Sequence, residues 1–127
     1  MAGYRTPLAK VRGLGSAHEG TEHFWKQRLT AVSNLILVCI MIWLVVKLAG
    51  ADYATVRHTL AKPQNAIPLL LLVLSGVIHM RLGMQSIIED YVHSEGRKVA
   101  ALMFNSFFTT LVGLTCAFAV LKLSFGA

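Results

Sequence analysis

Three long stretches of this sequence carry almost no charge. Residues 29–46 contain no charged side chain, and neither do residues 99–121. Between them, the only ionisable side chains of residues 67–88 are His79 and Arg81. A helix of about 20 apolar residues crosses the hydrocarbon core of a bilayer, which is about 30 Å thick. The sequence therefore predicts an all-α membrane protein with three transmembrane helices, over about residues 29–48, 67–88 and 99–121.

The composition agrees with a membrane environment. Of the 127 residues, 55% are hydrophobic and only 14% are charged, whereas about 25% are charged in soluble domains. A soluble domain of this size has no interior large enough for so much apolar surface.

Cys39 and Cys116 fall within apolar stretches and are expected to be buried hydrophobic residues rather than a disulfide. The net charge of +6 is concentrated near the N-terminus, so we expect membrane lipids and no nucleic acid as partners.

The chain divides into an N-terminal arm and a membrane region. Residues 1–20 are rich in glycine, alanine and basic residues without periodicity, which predicts an extended basic arm on a partner or on anionic headgroups. Residues 21–127 are expected to form a three-helix membrane anchor. Within it, Thr21 is expected to cap a separate short helix over residues 22–28, before the first span.

The loop between the first two spans is expected to contain another short helix. Asp52 is a possible cap, and the apolar residues that follow share one helical face, which predicts an interfacial helix ending before Pro63. Pro68 is expected in the first turn of the next helix, where proline is tolerated.

Lysine and arginine are unevenly shared between the two sides of the membrane. The side of the N-terminus and the second loop has eight, and the opposite side has four. The eight are Arg5, Lys10, Arg12, Lys26, Arg28, Arg81, Arg97 and Lys98, and the four are Lys47, Arg57, Lys62 and Lys122. The positive-inside rule then predicts a cytoplasmic N-terminus and a periplasmic C-terminus in a bacterial inner membrane, in preference to a mitochondrial one.

His79 is the main candidate site residue, expected in the last third of the second span. Ionisable residues inside spans are costly and often functional. Two interpretations stay open: an interhelical hydrogen bond, or a ligand to a metal or haem, for which small neighbours such as Ser75 and Gly83 leave room. The four other histidines lie in loops or the arm, so a bis-histidine haem site would need its second ligand from another polypeptide.

Further polar residues near the spans also allow two interpretations. Arg81 and Arg28 either extend to the lipid headgroups or pair with a haem propionate or a neighbouring subunit. Asp90 follows His79 by eleven residues, which puts both on one helix face about 16 Å apart. Asp90 and Tyr91 are either an interfacial helix end or a quinone site, in which the tyrosine hydroxyl donates to a quinone carbonyl.

The stretch from His79 through Gly83-Met84 to Asp90-Tyr91, on the second of three spans, resembles a known family. It looks like the small hydrophobic membrane-anchor subunit of succinate dehydrogenase, the D subunit of respiratory complex II. Residues 13–17 (GLGSA) and 20–31 (GTEHFWKQRLTA) are similar to the alphaproteobacterial and mitochondrial-like branch. The resemblance covers nearly the whole chain.

The resemblance implies a function and a set of partners. A second anchor (cytochrome b) subunit, an iron–sulfur subunit and a flavoprotein subunit would assemble with this chain, and electrons from succinate would reduce ubiquinone. The chain would then be a subunit of a succinate:ubiquinone oxidoreductase and not catalytic alone.

The resemblance also implies roles for individual residues. His79 would be an axial ligand of the iron of haem b. Ser75, beside the haem, would hydrogen-bond the second ring nitrogen of His79. Arg28 would lie near a haem propionate. Tyr91 would bind ubiquinone, and Asp90 would hold a neighbouring arginine and relay protons.

Two alternative functions remain. The chain could be a small transporter or proton-conducting subunit, or it could be a purely structural assembly subunit.

Overall fold

A computed structural model describes residues 6–12 and 19–126, and nearly all of this part of the chain is helical. The helices are α1 (Pro7–Val11), α2 (Glu19–Leu48), α3 (Tyr53–Ala61), α4 (Pro63–Tyr91) and α5 (Glu95–Phe125). Three segments are long and apolar enough to cross a membrane: Thr21–Leu48, Pro63–Tyr91 and Glu95–Phe125. This finding confirms the predicted all-α fold with three spans.

The spanning helices extend well beyond the apolar stretches. α2 has 30 residues, which corresponds to about 45 Å and exceeds the hydrocarbon thickness of about 30 Å. The separate helix expected over residues 22–28 is wrong, because those residues form the start of α2 and Thr21 lies inside it. The arm is not extended throughout either, since α1 forms part of its described segment.

Pro63 and Pro68 both belong to α4, because this helix begins earlier than the predicted span. Asp52 does precede α3 with an extended backbone, and α3 ends at Ala61, before Pro63, as predicted. Pro63 itself opens α4, whereas Pro68 lies inside the helix rather than in its first turn. Pro68 has no N–H, so the carbonyl of Gln64 lacks its usual helical donor.

Burial in this chain is the reverse of that in a soluble protein. The buried hydrophobic residues of the described part are only Leu44, Ala66 and Ile88, while most large apolar side chains point outward. The buried polar residues are Thr30, Asn105 and Thr109. Spanning helices associate through close packing and polar contacts rather than through a hydrophobic core, because lipid is as apolar as leucine. The pattern is that of helices surrounded by lipid or by partner helices.

The cysteines follow the same outward pattern. Cys39 and Cys116 are both unpaired and exposed. The expectation that they are buried was wrong. Each lies on the surface of a spanning helix.

α4 is the central helix and packs against both α2 and α5. On the α5 side, a Cβ atom added at Gly113 would lie 3.3 Å from both γ-carbons of Val77. Asn105, also on α5, donates from Nδ2 to the carbonyl of Arg81 at 3.0 Å. The short α3 packs against α4 and α5. α4 therefore presents one side to α2 and the other to α5.

Candidate functional site

His79 lies where α4 packs against α2. Its Nδ1 atom is 3.1 Å from Oγ1 of Thr30 on α2. Thr30 is buried, with 9% of its surface exposed. The expectation that His79 lies in the last third of the span is wrong: α4 runs from residue 63 to residue 91, and its midpoint is residue 77. At 1.5 Å per residue, His79 is about 3 Å beyond the middle of the helix.

The Thr30 side chain connects α2 to α4 through several contacts. Its hydroxyl oxygen lies 2.8 Å from the carbonyl oxygen of Lys26 and 3.1 Å from that of Gln27, both one turn earlier in α2. Ser75, one turn before His79, donates its hydroxyl to the carbonyl of Thr30 at 3.3 Å. The role suggested for Ser75 is therefore corrected: the hydrogen-bonding partner of His79 is Thr30, and Ser75 binds the backbone of Thr30.

Thr30 belongs to a polar strip along α2, which consists of His23, Gln27, Thr30 and Asn34. These residues are spaced by four, three and four positions and so share the helix face that contacts α4. His23 Nε2, Gln27 Oε1 and Asn34 Oδ1 are buried atoms without a hydrogen-bond partner in the described chain. Buried polar groups in proteins are normally paired. The α2 side of its contact with α4 therefore carries polar side chains, although both helices are largely apolar.

The glycines near His79 do not all leave space for a ligand. A Cβ atom at Gly83 would lie 3.4 Å from Nε2 of Gln27, so Gly83 allows α2 to approach α4 closely. Gly76 has open space beside it in this chain. Of these two small residues near His79, Gly76 is the one with room beside it, and Gly83 is a packing residue.

A cleft of about 530 Å³ opens between α2 and α4 beside the Thr30–His79 contact. Its polar lining consists of Lys26, Thr30, Arg81 and Gln85. Lys26 forms an ion pair with Glu22, one turn earlier in α2. Arg81 is exposed and has no acidic partner in the described part of the chain. Its guanidinium is available to a carboxylate from outside the chain.

Arg28 lies on a different face of α2 from this cleft. It is two residues before Thr30, which places it about 160° away around the helix. Its guanidinium stacks over the ring of Phe24 at 4.5 Å. A similar pair, Lys47 over Trp43 at 4.9 Å, lies near the other end of α2. The structure does not bring Arg28 next to His79 within this chain.

Asp90 and Tyr91 are the last two residues of α4. Both are exposed, and Asp90 forms no ion pair with any described residue. Asp90 lies about 20° from His79 around the helix, while Tyr91 lies about 120° from it. Tyr91 lines a second cleft of about 350 Å³, together with Arg97 of α5 and the connection between the helices.

The donor atoms of the described residues fit a single ligand to a haem iron better than an isolated metal site. The described residues contain no group of three or more His, Cys, Asp or Glu side chains that could hold a metal ion. No described residue hydrogen-bonds Nε2 of His79, while Nδ1 is engaged by Thr30. A neutral histidine with one nitrogen bonded and the other available is the usual form of a metal-ligating imidazole.

The role of Thr30 was missed by sequence reasoning, although the sequence contains a signal for it. Polar residues at spacings of three and four in an otherwise apolar helix indicate a face that contacts another helix. His23, Gln27, Thr30 and Asn34 form such a series across the boundary between the charged segment and the apolar stretch. The predicted first span begins at residue 29, so its pattern does not include His23 and Gln27, which belong to α2.

Comparison with known proteins agrees with the resemblance seen in the motifs. A family model described as succinate dehydrogenase/fumarate reductase transmembrane subunit matches residues 2–113. A Paracoccus denitrificans protein named succinate dehydrogenase hydrophobic membrane anchor subunit is 32% identical over 124 residues, covering 98% of this chain and 95% of that protein. A Rickettsia bellii protein of the same name is 37% identical over 92 residues, covering 70% of this chain and 71% of that protein. No solved structure matches with significance.

The family model and the Paracoccus denitrificans match extend over almost the whole chain, including α2, α4 and the residues that surround His79. The three apolar spans agree with a multi-pass membrane protein. The chain belongs to the family of succinate dehydrogenase/fumarate reductase transmembrane subunits.

Proposed function

We propose that this chain is the hydrophobic membrane-anchor subunit of a succinate dehydrogenase, in which His79 would hold the iron of haem b and the end of α4 would form part of a ubiquinone-reducing site. The observation that carries the proposal is the state of His79: Nδ1 contacts Thr30, and Nε2 has no partner among the described residues. The printed names of the relatives support the same assignment.

His79 would hold the haem iron through Nε2 while the α2–α4 contact fixes the ring. A haem bound there supplies one-electron chemistry between the electron donor and the quinone. The partner anchor (cytochrome b) subunit would supply the second ligand. Among the other described histidines, His58 lies in α3, His93 follows the end of α4, and His23 is seven residues, about 10 Å along α2, before the Thr30 that contacts His79. Arg81 lines the cleft between α2 and α4, whereas Arg28 lies on another face of α2, so Arg81 is better placed than Arg28 for a carboxylate in this cleft. Arg81 follows His79 by two residues and therefore lies about 160° from it around α4.

Tyr91 and Asp90 would contribute to the ubiquinone site at the end of α4. The exposed phenol of Tyr91 can donate to a quinone carbonyl, and its cleft lies at the membrane interface, where an amphipathic headgroup would rest. Asp90 would relay protons from the aqueous side and hold an arginine of another subunit. This arrangement keeps the proton donor next to water and the histidine deeper in the bilayer.

The remaining partners and the orientation follow from the same proposal. An iron–sulfur subunit and a flavoprotein subunit would dock on the side of Asp90 and Tyr91, which the positive-inside rule makes cytoplasmic. The N-terminus would then be cytoplasmic and the C-terminus periplasmic in a bacterial inner membrane. The outward-facing apolar side chains of α2, α4 and α5 would contact lipid and the second anchor.

The proposal is tested by replacing the histidine in the assembled complex. We expect His79→Leu to lose the low-spin b-type signal in the reduced-minus-oxidised spectrum, because leucine has no ligand atom. The matched control is His58→Leu in α3, which lies outside the three spanning helices and should leave the spectrum unchanged. A normal b-type signal in His79→Leu would contradict the haem assignment.

A further inference from the structure

We propose that Thr30 is a positioning residue for His79, which fixes the tautomer of its imidazole and tunes the iron that Nε2 would hold. The inference rests on the proposed haem ligation and adds a residue from a different helix to it. Thr30 does not touch the iron in this proposal. It acts only through Nδ1 of His79.

The protons around Thr30 determine the direction of this hydrogen bond. A threonine hydroxyl has one proton to donate and two lone pairs that accept. The shortest contact of Oγ1 is with the carbonyl oxygen of Lys26 at 2.8 Å, and a carbonyl can only accept. The hydroxyl proton is therefore directed to the backbone of α2. The 3.1 Å contact with His79 is then a hydrogen bond only when Nδ1 carries a proton and donates it.

This direction leaves Nε2 with a lone pair. A neutral imidazole has one protonated and one unprotonated nitrogen, so a proton on Nδ1 makes Nε2 the basic atom. The unprotonated nitrogen is also the one that no described residue hydrogen-bonds. Thr30 thus selects the tautomer that can bind a metal through Nε2.

The position of the Thr30 hydroxyl is itself fixed from both helices. Contacts to two backbone carbonyls of α2 hold the side chain in one rotamer. Ser75 of α4 donates to the carbonyl of the same residue at 3.3 Å. Ser75 and His79 are one turn apart on α4, so they engage the backbone and the side chain of Thr30 together. The ring orientation of His79 therefore depends on a partly buried contact that both helices hold in place.

The bond also has an electronic consequence for the iron. An acceptor on Nδ1–H raises the basicity of the ligating nitrogen, and a more basic ligand favours the ferric over the ferrous state. Without the hydroxyl of Thr30, the equilibrium constant for reduction of the ferric to the ferrous haem should rise by about threefold to tenfold. For a one-electron couple, tenfold corresponds to about 59 mV.

The decisive variant is Thr30→Val in the assembled complex, because valine keeps the shape of threonine and removes the hydroxyl. We expect a higher haem midpoint potential and altered g-values in the electron paramagnetic resonance spectrum of the oxidised haem. The matched control is Thr109→Val. Thr109 is a second buried threonine, and its hydroxyl bonds only the carbonyls of Asn105 and Ser106, four and three residues earlier in α5.

Each outcome of this experiment decides the question. A Thr30→Val complex with the wild-type potential and g-values overturns the inference. An assembled Thr30→Val complex that lacks haem, beside a Thr109→Val complex that retains it, supports it. If Thr30→Val does not assemble, Thr30→Cys and Thr30→Ser replace it: the weakly accepting thiol should give a higher potential than the hydroxyl, and equal potentials overturn the inference.

The His79→Leu variant separates this inference from the proposed function. Retention of the b-type signal in His79→Leu overturns both the haem ligation and the role of Thr30. Loss of the signal there, together with an unchanged Thr30→Val spectrum, overturns only the role of Thr30.

Discussion

Oγ1 of Thr30 and Nδ1 of His79 lie 3.1 Å apart, although 49 positions separate the two residues in the chain. The contact connects two spanning helices of the same polypeptide close to the middle of α4. Its geometry therefore depends on how α2 packs against α4. The haem site we propose would be shared between subunits, but this half of it is organised by one chain.

We predict that Tyr91→Phe lowers quinone reduction several-fold and leaves the oxidation of succinate by an artificial acceptor nearly unchanged. Phenylalanine keeps the ring and removes only the hydroxyl, and a lost hydrogen bond costs about 0.5–1.5 kcal/mol. The two activities are measured on the same purified complex. Tyr53→Phe is the matched control, because Tyr53 of α3 and Tyr91 are both 77% exposed.

The two activities in the Tyr91→Phe complex also distinguish the alternatives. A parallel fall in both activities would mean that the variant disturbs assembly. Unchanged quinone reduction would mean that Tyr91 is only an interfacial aromatic residue.

We predict opposite locations for reporters fused after Lys98 and after Ala127. Lys98 lies in the first turn of α5, so a fusion there precedes the third span, whereas the second fusion follows it. The excess of lysine and arginine on the side of the N-terminus places the first reporter in the cytoplasm and the second in the periplasm. The measurement is the activity of a reporter that works on one side only. The reverse pattern would put Asp90 and Tyr91 on the periplasmic side and contradict the proposed docking of the iron–sulfur subunit.

We predict that Gly113→Ala destabilises the contact between α4 and α5 by about 1–3 kcal/mol, the usual effect of overpacking. The added methyl group would lie 3.3 Å from both γ-carbons of Val77, so the valine must shift. The measurement is the midpoint of thermal dissociation of the purified complex. The double variant with Val77→Ala should recover most of the loss, because it removes the two atoms that clash.

Gly96→Ala, in the first turn of the same helix α5, is the control for this experiment, since a Cβ atom there meets no atom of the chain within 4 Å. It should leave the midpoint unchanged or raise it slightly, because alanine favours helix over glycine. A midpoint for Gly113→Ala no lower than that for Gly96→Ala would show that the close approach at Gly113 does not control the α4–α5 contact.

The number and type of the helices could be predicted from the sequence because lipid imposes a simple rule on apolar length. Asp52 precedes α3 and Pro63 follows its end, as expected, since proline chemistry is local, although the Asp52 side chain forms no capping hydrogen bond. The helix ends were less predictable. Hydropathy marks where lipid begins, and α2 continues through a charged segment as far back as Glu19. For the same reason, the position of His79 was predicted too close to the end of its helix, since α4 extends beyond the apolar stretch at both ends.

The partner of His79 could not be predicted from its own helix. Spacing along α4 made Ser75 the available hydroxyl one turn away, but which residue of another helix lies opposite depends on the rotation of both helices. Gly83 shows the same limit, because its small size serves the approach of Gln27 rather than a ligand. Residues on one helix predict a face, and only the packing of two helices identifies the contact.

The polar strip of α2 has a consequence for the timing of synthesis. α2 ends at Leu48 and α4 is complete only at Tyr91, which is 43 residues later (91 − 48). At about 5–20 residues per second, the ribosome needs about 2–9 s to make this interval. During that time His23, Gln27 and Asn34 have no α4 to cover them and face whatever the insertion machinery offers. The length of chain from the end of α2 to the end of α4 therefore sets how long these side chains must be shielded.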